Sequence, residues 1–162
     1  MAYLSQNRNI PAIQKSIELL SEACGQKKKD SRRVDYHCFP TPKALSRLSD
    51  KSLEKCRLGY RIKYVRAAAK TVCEGVIDFN DLSGMSPEDA ITELTKLYGV
   101  GVKVASCVAL FGLHQLNEFP IDVWVKRILE NEYKDGYPYE QYAPYNGIYQ
   151  QYMFAYYRKM AT

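Results

Sequence analysis

The sequence lacks the features that mark membrane, secreted and disulfide-bonded proteins. No apolar run reaches the about 18 residues that a membrane-spanning helix needs, so we expect no membrane contact. No basic segment followed by an apolar stretch opens the chain, so no secretory signal is expected. The five cysteines are scattered and odd in number, which does not suit a disulfide framework and indicates a reducing cytoplasm.

Alternating apolar and polar residues, the pattern of a half-buried strand, are also scarce, and the apolar spacing is helical almost throughout. Asn9 and Pro11 form a typical helix start ahead of an apolar face that ends at Gly25. Similar signals predict a helix that Thr41 caps and one that Ser49 or Asp50 caps, helix starts at Gly59, Ser86, Val102 and Val123, and a last helix ending near Lys159. The charged residues 27–33 and the Tyr/Pro-rich residues 137–145 are predicted loops. We expect one all-α domain over residues 1–162.

Charge is spread unevenly along the chain. Residues 1–75 contain 16 Lys and Arg against 7 Asp and Glu, whereas residues 76–162 contain 7 against 11. A polyanion such as DNA would be attracted mainly to the first of these parts. A solvated basic face without a partner is an equally good interpretation of the charge alone.

Two glycines, Gly99 and Gly101, separate two predicted helices and form the sharpest local signal. Glycines one residue apart permit a tight reversal, and the next helix then points its first N–H groups outward, where a phosphate binds well. A P-loop needs a different glycine and lysine spacing, and a dinucleotide fingerprint needs a glycine where Val104 stands. A helix-hairpin-helix that contacts DNA backbone through Gly99, Gly101 and Val104 fits better. An ordinary turn between two helices is the alternative.

Two separated motifs, GVGVK at residues 99–103 and FPIDV at residues 119–123, resemble the helix-hairpin-helix/Gly-Pro-Asp superfamily of DNA glycosylases. Segments 5–10, 36–40, 58–61 and 147–154 resemble the 8-oxoguanine DNA glycosylase family within it, so the similarity covers essentially the whole chain. Full-length members carry a β-rich domain ahead of the first of these segments, and that domain is expected to be absent here.

The resemblance implies chemistry without a cofactor. No cysteine follows Cys107, which excludes the four-cysteine iron–sulfur cluster of the endonuclease III-like relatives. Neither a metal nor a redox cofactor is needed for the implied reaction. A monovalent cation held by backbone carbonyls around residues 98–101 is the one ion site that the resemblance leaves open.

The resemblance assigns the reaction to two residues. Lys103 matches the lysine nucleophile that attacks the deoxyribose C1′ atom, a role that needs a neutral amine. Asp122 matches the carboxylate that stabilises positive charge on the sugar and helps to move protons. The alternatives are a solvated helix lysine for Lys103 and a helix N-cap for Asp122, which is compatible with catalysis.

Further residues match positions that contact the base and the duplex. Cys107 and Phe154 match the pair that sandwiches an extruded purine, and Gln150 matches the residue that reads its edge, with Gln151 one position away. Asn7 and Tyr60 match residues that fill the gap in the duplex, and Arg61 matches one that contacts the opposite cytosine. The alternatives are core packing for Cys107 and Phe154 and a plain basic helix face for Tyr60 and Arg61.

The prediction is therefore a bifunctional DNA N-glycosylase/AP lyase of base excision repair that removes oxidised purines such as 8-oxoguanine. Its partner would be double-stranded DNA with a damaged purine or an abasic site, in the cytoplasm and at the nucleoid if the source is bacterial. One alternative is a non-catalytic or lyase-only helix-hairpin-helix DNA-binding module. Another is a glycosylase of the same fold for a different damaged base. The sequence does not indicate an oligomeric state.

Overall fold

The computed structural model describes Leu4 and residues 8–160, and this part of the chain is mainly helical, as predicted. The helices are α1 (Ile10–Cys24), α2 (Pro42–Ser46), α3 (Asp50–Lys55), α4 (Ile62–Cys73), α5 (Phe79–Ser83), α6 (Pro87–Thr95), α7 (Val102–Gly112), α8 (Val123–Glu132), α9 (Tyr139–Tyr142) and α10 (Asn146–Met160). A 3₁₀ turn, Gly59–Arg61, leads into α4. None of the described helices is long and apolar enough for a membrane span.

The chain divides into two compact units. The first unit comprises residues 1–78 and 97–99, and the second comprises residues 79–96 and 100–162. The single domain expected from the sequence stays a prediction.

Side-chain caps explain where the helices of the first unit begin. Asn9 accepts a hydrogen bond from the Ala12 amide at 3.0 Å, and Thr41 and Ser49 cap α2 and α3 in the same way. These caps start the helices at the predicted residues. The core of this unit consists of the buried apolar residues Leu4, Leu20, Leu45, Leu53, Cys56, Leu58, Val65 and Ala69.

A small antiparallel hairpin corrects the prediction of a loop over residues 27–33. Strands β1 (Lys27–Lys29) and β2 (Asp35–His37) pair with Lys27 opposite His37. The Asp35 carboxylate accepts from Lys27 at 2.9 Å and from Lys29 at 3.1 Å, which offsets repulsion among the lysines. Every residue of both strands is exposed, so the sequence carries no apolar alternation that could predict them.

The second unit contains α5 to α10. Ser86 caps α6, which packs against α7, and α8 packs against α10. The short helices α5 and α9 were not expected, and α9 lies inside the predicted loop over residues 137–145. The buried apolar residues of this unit are Leu82, Ala90, Leu94, Val100, Val104, Ala105, Ala109, Leu110, Val125, Ile128 and Tyr137.

Candidate functional site

Helix α7 carries Lys103 and Cys107 one turn apart, so both side chains project from the same face of the helix. Lys103 is the second residue of α7 and is partly buried, and Cys107 is also partly buried. The structure therefore places Lys103 at the edge of the protein interior.

Asp122 is the N-cap of α8. One carboxylate oxygen, Oδ1, accepts hydrogen bonds from the backbone N–H groups of Trp124 at 3.0 Å and Val125 at 2.8 Å. Bonds to ordered backbone donors hold the carboxylate in one orientation. Asp122 thus has the capping role that the sequence offered as its alternative, and its other oxygen, Oδ2, takes no part in the cap.

The thiol of Cys107 lies within electrostatic range of both charged residues. Burial raises the pKa of the Cys107 thiol, Lys103 lowers that pKa by a smaller amount, and Asp122 raises it. The charges of Lys103 and Asp122 thus act on the same thiol, and all three residues belong to the second unit.

Helix α10 carries Gln150 and Phe154 one turn apart. Gln150 is buried, and its Nε2 donates to the Pro120 carbonyl at 2.9 Å, two residues ahead of Asp122. Gln151 donates from its Nε2 to the Gln150 Oε1 atom. Phe154 is partly buried. The hydrogen bonds of Gln150 thus run to Pro120 and Gln151 rather than to Lys103, Cys107 or Asp122.

A surface groove elsewhere in the second unit is unrelated to these residues. Its volume is about 550 Å³, and it is lined by residues 137–141. None of Lys103, Cys107, Asp122, Gln150 and Phe154 belongs to its lining.

The N-terminus of α7 differs from the N-termini that Asn9, Thr41, Ser49, Ser86 and Asp122 cap. Gly101 is its N-cap, with extended backbone angles and no side-chain hydrogen bond. The first N–H groups of a helix need a partner from outside the helix, so this end suits an anion. Val104, in the first turn of α7, is buried, so only its backbone suits the contact predicted for it.

Gly99 belongs to the first unit and has a backbone that only glycine adopts easily. Its φ angle is +80°, and a Cβ atom added there would lie 2.3 Å from the Cδ1 atom of the Tyr64 ring. The tyrosine therefore packs directly against the backbone of the glycine hairpin. This contact explains why glycine is needed at position 99.

Tyr60 and Arg61 of the first unit do not form a plain basic helix face, because the tyrosine is exposed and the arginine is buried. Tyr60 is exposed, and the Arg61 guanidinium lies 4.3 Å from the centre of its ring. Arg61 itself is only 6% exposed, and its Nη1 donates to the Leu58 carbonyl at 3.4 Å. The remaining predicted contact of this group, Asn7, lies outside the described residues.

The sequence assigns no site role to Lys63 or Tyr64, and it assigns Tyr98 only to the cation position around residues 98–101, whereas the structure packs Tyr64 against Gly99. The spacing of Tyr60 and Tyr64, four residues apart at a helix start, was the available signal. Among the described residues, no three His, Cys, Asp or Glu side chains are grouped as a metal site. The monovalent cation around residues 98–101 stays a prediction.

Comparisons with known proteins identify the family of the chain. A family model, the HhH-GPD superfamily base excision DNA repair protein, matches residues 1–134. The chain is similar to N-glycosylase/DNA lyase OGG1 of Arabidopsis thaliana, with 34% identity over 131 residues, 78% of this chain and 36% of the plant protein. It is also similar to N-glycosylase/DNA lyase of Saccharomyces cerevisiae, with 33% identity over 141 residues, 80% of this chain and 38% of the yeast protein.

Solved structures show the same likeness. MBOgg1, in complex with a low-affinity DNA ligand, superposes with a TM-score of 0.89 and 35% identity, covering 99% of this chain and 58% of that chain. The 8-oxoguanine glycosylase/lyase of Clostridium acetobutylicum, in complex with DNA containing cytosine opposite 8-oxoguanine, superposes with a TM-score of 0.86 and 29% identity. The match covers 99% of this chain and 58% of that chain. The chain thus spans between about a third and three fifths of the length of these relatives. The chain belongs to the HhH-GPD superfamily of base excision DNA repair proteins.

Proposed function

We propose that the chain is a bifunctional DNA N-glycosylase/AP lyase that removes oxidised purines such as 8-oxoguanine from double-stranded DNA. The observation that carries this proposal is that Lys103 and Cys107 share one face of α7, while Asp122, held as the cap of α8, acts electrostatically on the same Cys107 thiol. Relatives named N-glycosylase/DNA lyase, and a related structure with 8-oxoguanine DNA, support the same activity. A location in the cytoplasm stays a prediction.

The reaction uses the Lys103 amine as nucleophile. The neutral Nζ atom forms a bond to C1′ of the damaged nucleotide as the C1′–N bond to the base breaks. The base leaves with the bonding electron pair and takes up the proton that the newly bonded amine loses. Asp122 stabilises the positive charge that develops on the sugar. Its cap bonds to Trp124 and Val125 hold it for this role before substrate arrives.

Strand cleavage follows from the covalent intermediate. The sugar ring opens to an imine between Nζ and C1′, which acidifies the hydrogens on C2′. Loss of a C2′ proton to a base forms the C2′–C3′ double bond, and the C3′–O bond breaks to release the 3′ phosphate. Hydrolysis of the imine then frees the Lys103 amine, so no external oxidant or reductant enters the cycle.

Binding of the extruded base falls to Cys107, Gln150 and Phe154. Cys107 lies on the same helix face as Lys103, and Phe154 follows Gln150 by one turn on α10. The bond from Gln150 to the Pro120 carbonyl occupies one of its two amide hydrogens, so the other is available for a base. The first N–H groups of α7 would bind a DNA phosphate at the uncapped Gly101 end.

Borohydride trapping tests the proposal because borohydride reduces the imine to a stable amine. We expect a covalent protein–DNA adduct on duplexes containing 8-oxoguanine or an abasic site. Lys103→Gln should abolish the adduct, with a loss of at least about a thousandfold. Lys126→Gln, an exposed α8 lysine paired with Glu130, should retain it and serves as the matched control.

The outcomes separate the proposal from its alternatives. No adduct on either duplex would contradict the enzyme and favour a DNA-binding module without catalysis. An adduct on the abasic duplex alone would favour a lyase without base recognition. An adduct that survives Lys103→Gln would assign the nucleophile to another residue.

A further inference from the structure

Three tyrosines of the first unit form a continuous group beside the hairpin glycine, which we name the tyrosine ladder: Tyr60, Tyr64 and Tyr98. The Tyr60 and Tyr64 ring centres lie 6.2 Å apart and nearly perpendicular, and the Tyr64 and Tyr98 centres lie 5.4 Å apart. Such edge-on and tilted contacts are the favourable arrangements of aromatic rings. The ladder therefore has a defined geometry although Tyr60 and Tyr98 are more than half exposed.

Lys63 extends along the ladder. Its Nζ lies 5.0 Å from the Tyr64 ring centre and 5.9 Å from the Tyr98 ring centre, within the range of cation–π attraction. Tyr64 first, and Tyr98 after it, raise the pKa of Lys63 through electrostatic attraction and hydrogen bonds to the amine. The side chain is exposed, so the ammonium is held at the protein surface and stays charged at neutral pH.

The position of this group is fixed by the backbone. Tyr98 directly precedes Gly99, and the Tyr64 ring occupies the space that a Cβ atom of residue 99 would need. The ladder and Lys63 are thereby attached to the residue at which the hairpin reverses. A rigid set of donors costs less entropy on binding than a set of free side chains.

We propose that Lys63, with the hydroxyls of Tyr64 and Tyr98, binds a backbone phosphate of double-stranded DNA. An ammonium offers three hydrogen atoms, and a tyrosine hydroxyl that accepts from lysine still donates its own. A phosphodiester carries the matching negative charge and oxygen acceptors. The surrounding unit has 16 Lys and Arg against 8 Asp and Glu, which favours a polyanion over an acidic protein segment of lower charge density. The inference rests on duplex binding under the proposed function.

Salt-dependent binding tests the proposal. We would measure the dissociation constant by fluorescence anisotropy on a duplex containing a tetrahydrofuran abasic analogue, which the reaction does not cleave. Lys63→Gln should weaken binding roughly two- to fivefold. It should also lower the slope of log K against log salt by about one, as expected for one lost phosphate contact. Tyr98→Phe keeps the ring and the lysine charge, so affinity should fall less and the slope should stay unchanged.

A matched control and a chemical probe locate the contact. Lys70→Gln removes an exposed lysine of the same helix, which pairs with Glu74 at 3.6 Å, and should leave both affinity and slope unchanged. Replacing single phosphates by neutral methylphosphonates should identify one position that weakens the wild-type protein but not Lys63→Gln. Thermal melting of each variant checks that the fold is retained.

The proposal would be overturned if Lys63→Gln and Lys70→Gln gave equal salt slopes. It would also be overturned if every methylphosphonate weakened Lys63→Gln as much as it weakens the wild-type protein, or if the wild-type protein did not bind the duplex. Borohydride trapping of Lys63→Gln at saturating DNA distinguishes a failure of the phosphate-site proposal from a failure of the proposed catalytic function. A normal adduct with an unchanged slope overturns the phosphate site alone. A missing wild-type adduct with a lowered Lys63→Gln slope overturns the catalytic proposal alone.

Discussion

The two units of the chain differ in charge and in how they use lysine and tyrosine. The first unit contains 16 Lys and Arg against 8 Asp and Glu, and the second contains 7 against 10. In the first, Lys63 lies along exposed tyrosines, whereas in the second, Lys103 is partly buried near a carboxylate and a thiol. Surface charge suits binding to a polyanion, and an amine near the interior suits covalent chemistry.

The tyrosines show the same contrast. In the second unit, Tyr133 and Tyr139 pack against Tyr137, whose ring centre lies 4.7 Å from that of Tyr139 and 5.1 Å from that of Tyr133. Burial first, and the neighbouring tyrosines after it, raise the pKa of Tyr137 to about 12. These tyrosines form a packed cluster, whereas the rings of the tyrosine ladder in the first unit also contact Arg61 and Lys63. Counting tyrosines along the sequence does not separate these two uses.

After the loss expected for Lys103→Gln, the largest effect that sharpens the comparison is expected at Asp122. Asp122→Asn removes the charge but keeps an oxygen that can accept from Trp124 and Val125, so the cap survives. We expect the single-turnover rate to fall by roughly a hundredfold or more, with little change in melting temperature. Asp122→Ala should lower the single-turnover rate by a similar factor. It should also lower the free energy of unfolding by about 1 kcal/mol, because alanine cannot cap α8.

Single-turnover kinetics and thermal melting on the two variants decide this point. A wild-type rate for Asp122→Asn would reduce Asp122 to a cap and contradict the chemistry assigned to the second unit.

A smaller effect distinguishes the two hairpin glycines, one in each unit. Gly99→Ala forces an alanine to a φ of +80° and places its Cβ against the Tyr64 ring, so we expect a loss of roughly 1–3 kcal/mol in the free energy of unfolding. At Gly101 φ is −92° and nothing lies within 4 Å of an added Cβ. Gly101→Ala should therefore stay within about 0.5 kcal/mol of wild type.

Urea unfolding of both variants measures the difference. Removing the ring with Tyr64→Ala in the Gly99→Ala background should relieve the clash but not the backbone strain. Equal losses for the two glycines would mean that Tyr64 does not pack against the hairpin as described.

The smallest effect concerns the reactivity of Cys107. The thiolate is the reactive form, so a higher thiol pKa slows alkylation by iodoacetamide at neutral pH. Lys103 lowers the pKa of Cys107 and Asp122 raises it. We therefore expect Lys103→Gln to slow labelling of Cys107, and Asp122→Asn to accelerate it, by a few-fold each. Peptide mass mapping over time provides the rates.

Cys73 is the internal reference, because it is an exposed thiol of the first unit. Its labelling rate should be the same in both variants. Unchanged Cys107 rates, or parallel changes at Cys73, would contradict the grouping of Lys103, Asp122 and Cys107.

Helix starts were predictable because short polar side chains and prolines act locally. The structure confirms the caps Asn9, Thr41 and Ser49 and the helix start at Ser86, and Asp122 caps α8. The family motifs likewise predict roles for Lys103, Cys107 and Asp122. Such signals can be predicted from neighbouring residues alone, without the contacts between distant parts of the chain.

Long-range contacts explain what was missed. The β1–β2 hairpin is stabilised by pairing and by Asp35 rather than by an apolar face, so no periodic signal marks it. The burial of Arg61 and the packing of Tyr64 against Gly99 join residues far apart in sequence or depend on the core beneath them. The two-unit division also depends on contacts that no motif encodes.

DNA-backbone binding by Lys63 and covalent chemistry by Lys103 should be separable, and one paired measurement tests this separation directly. The dissociation constant on the tetrahydrofuran duplex and the single-turnover rate at saturating abasic duplex would be determined for Lys63→Gln and Lys103→Gln. We predict weaker binding with an unchanged rate for Lys63→Gln, and binding within about twofold of wild type with a rate at background for Lys103→Gln. A wild-type rate for Lys103→Gln, or a lowered saturated rate for Lys63→Gln, would contradict the account.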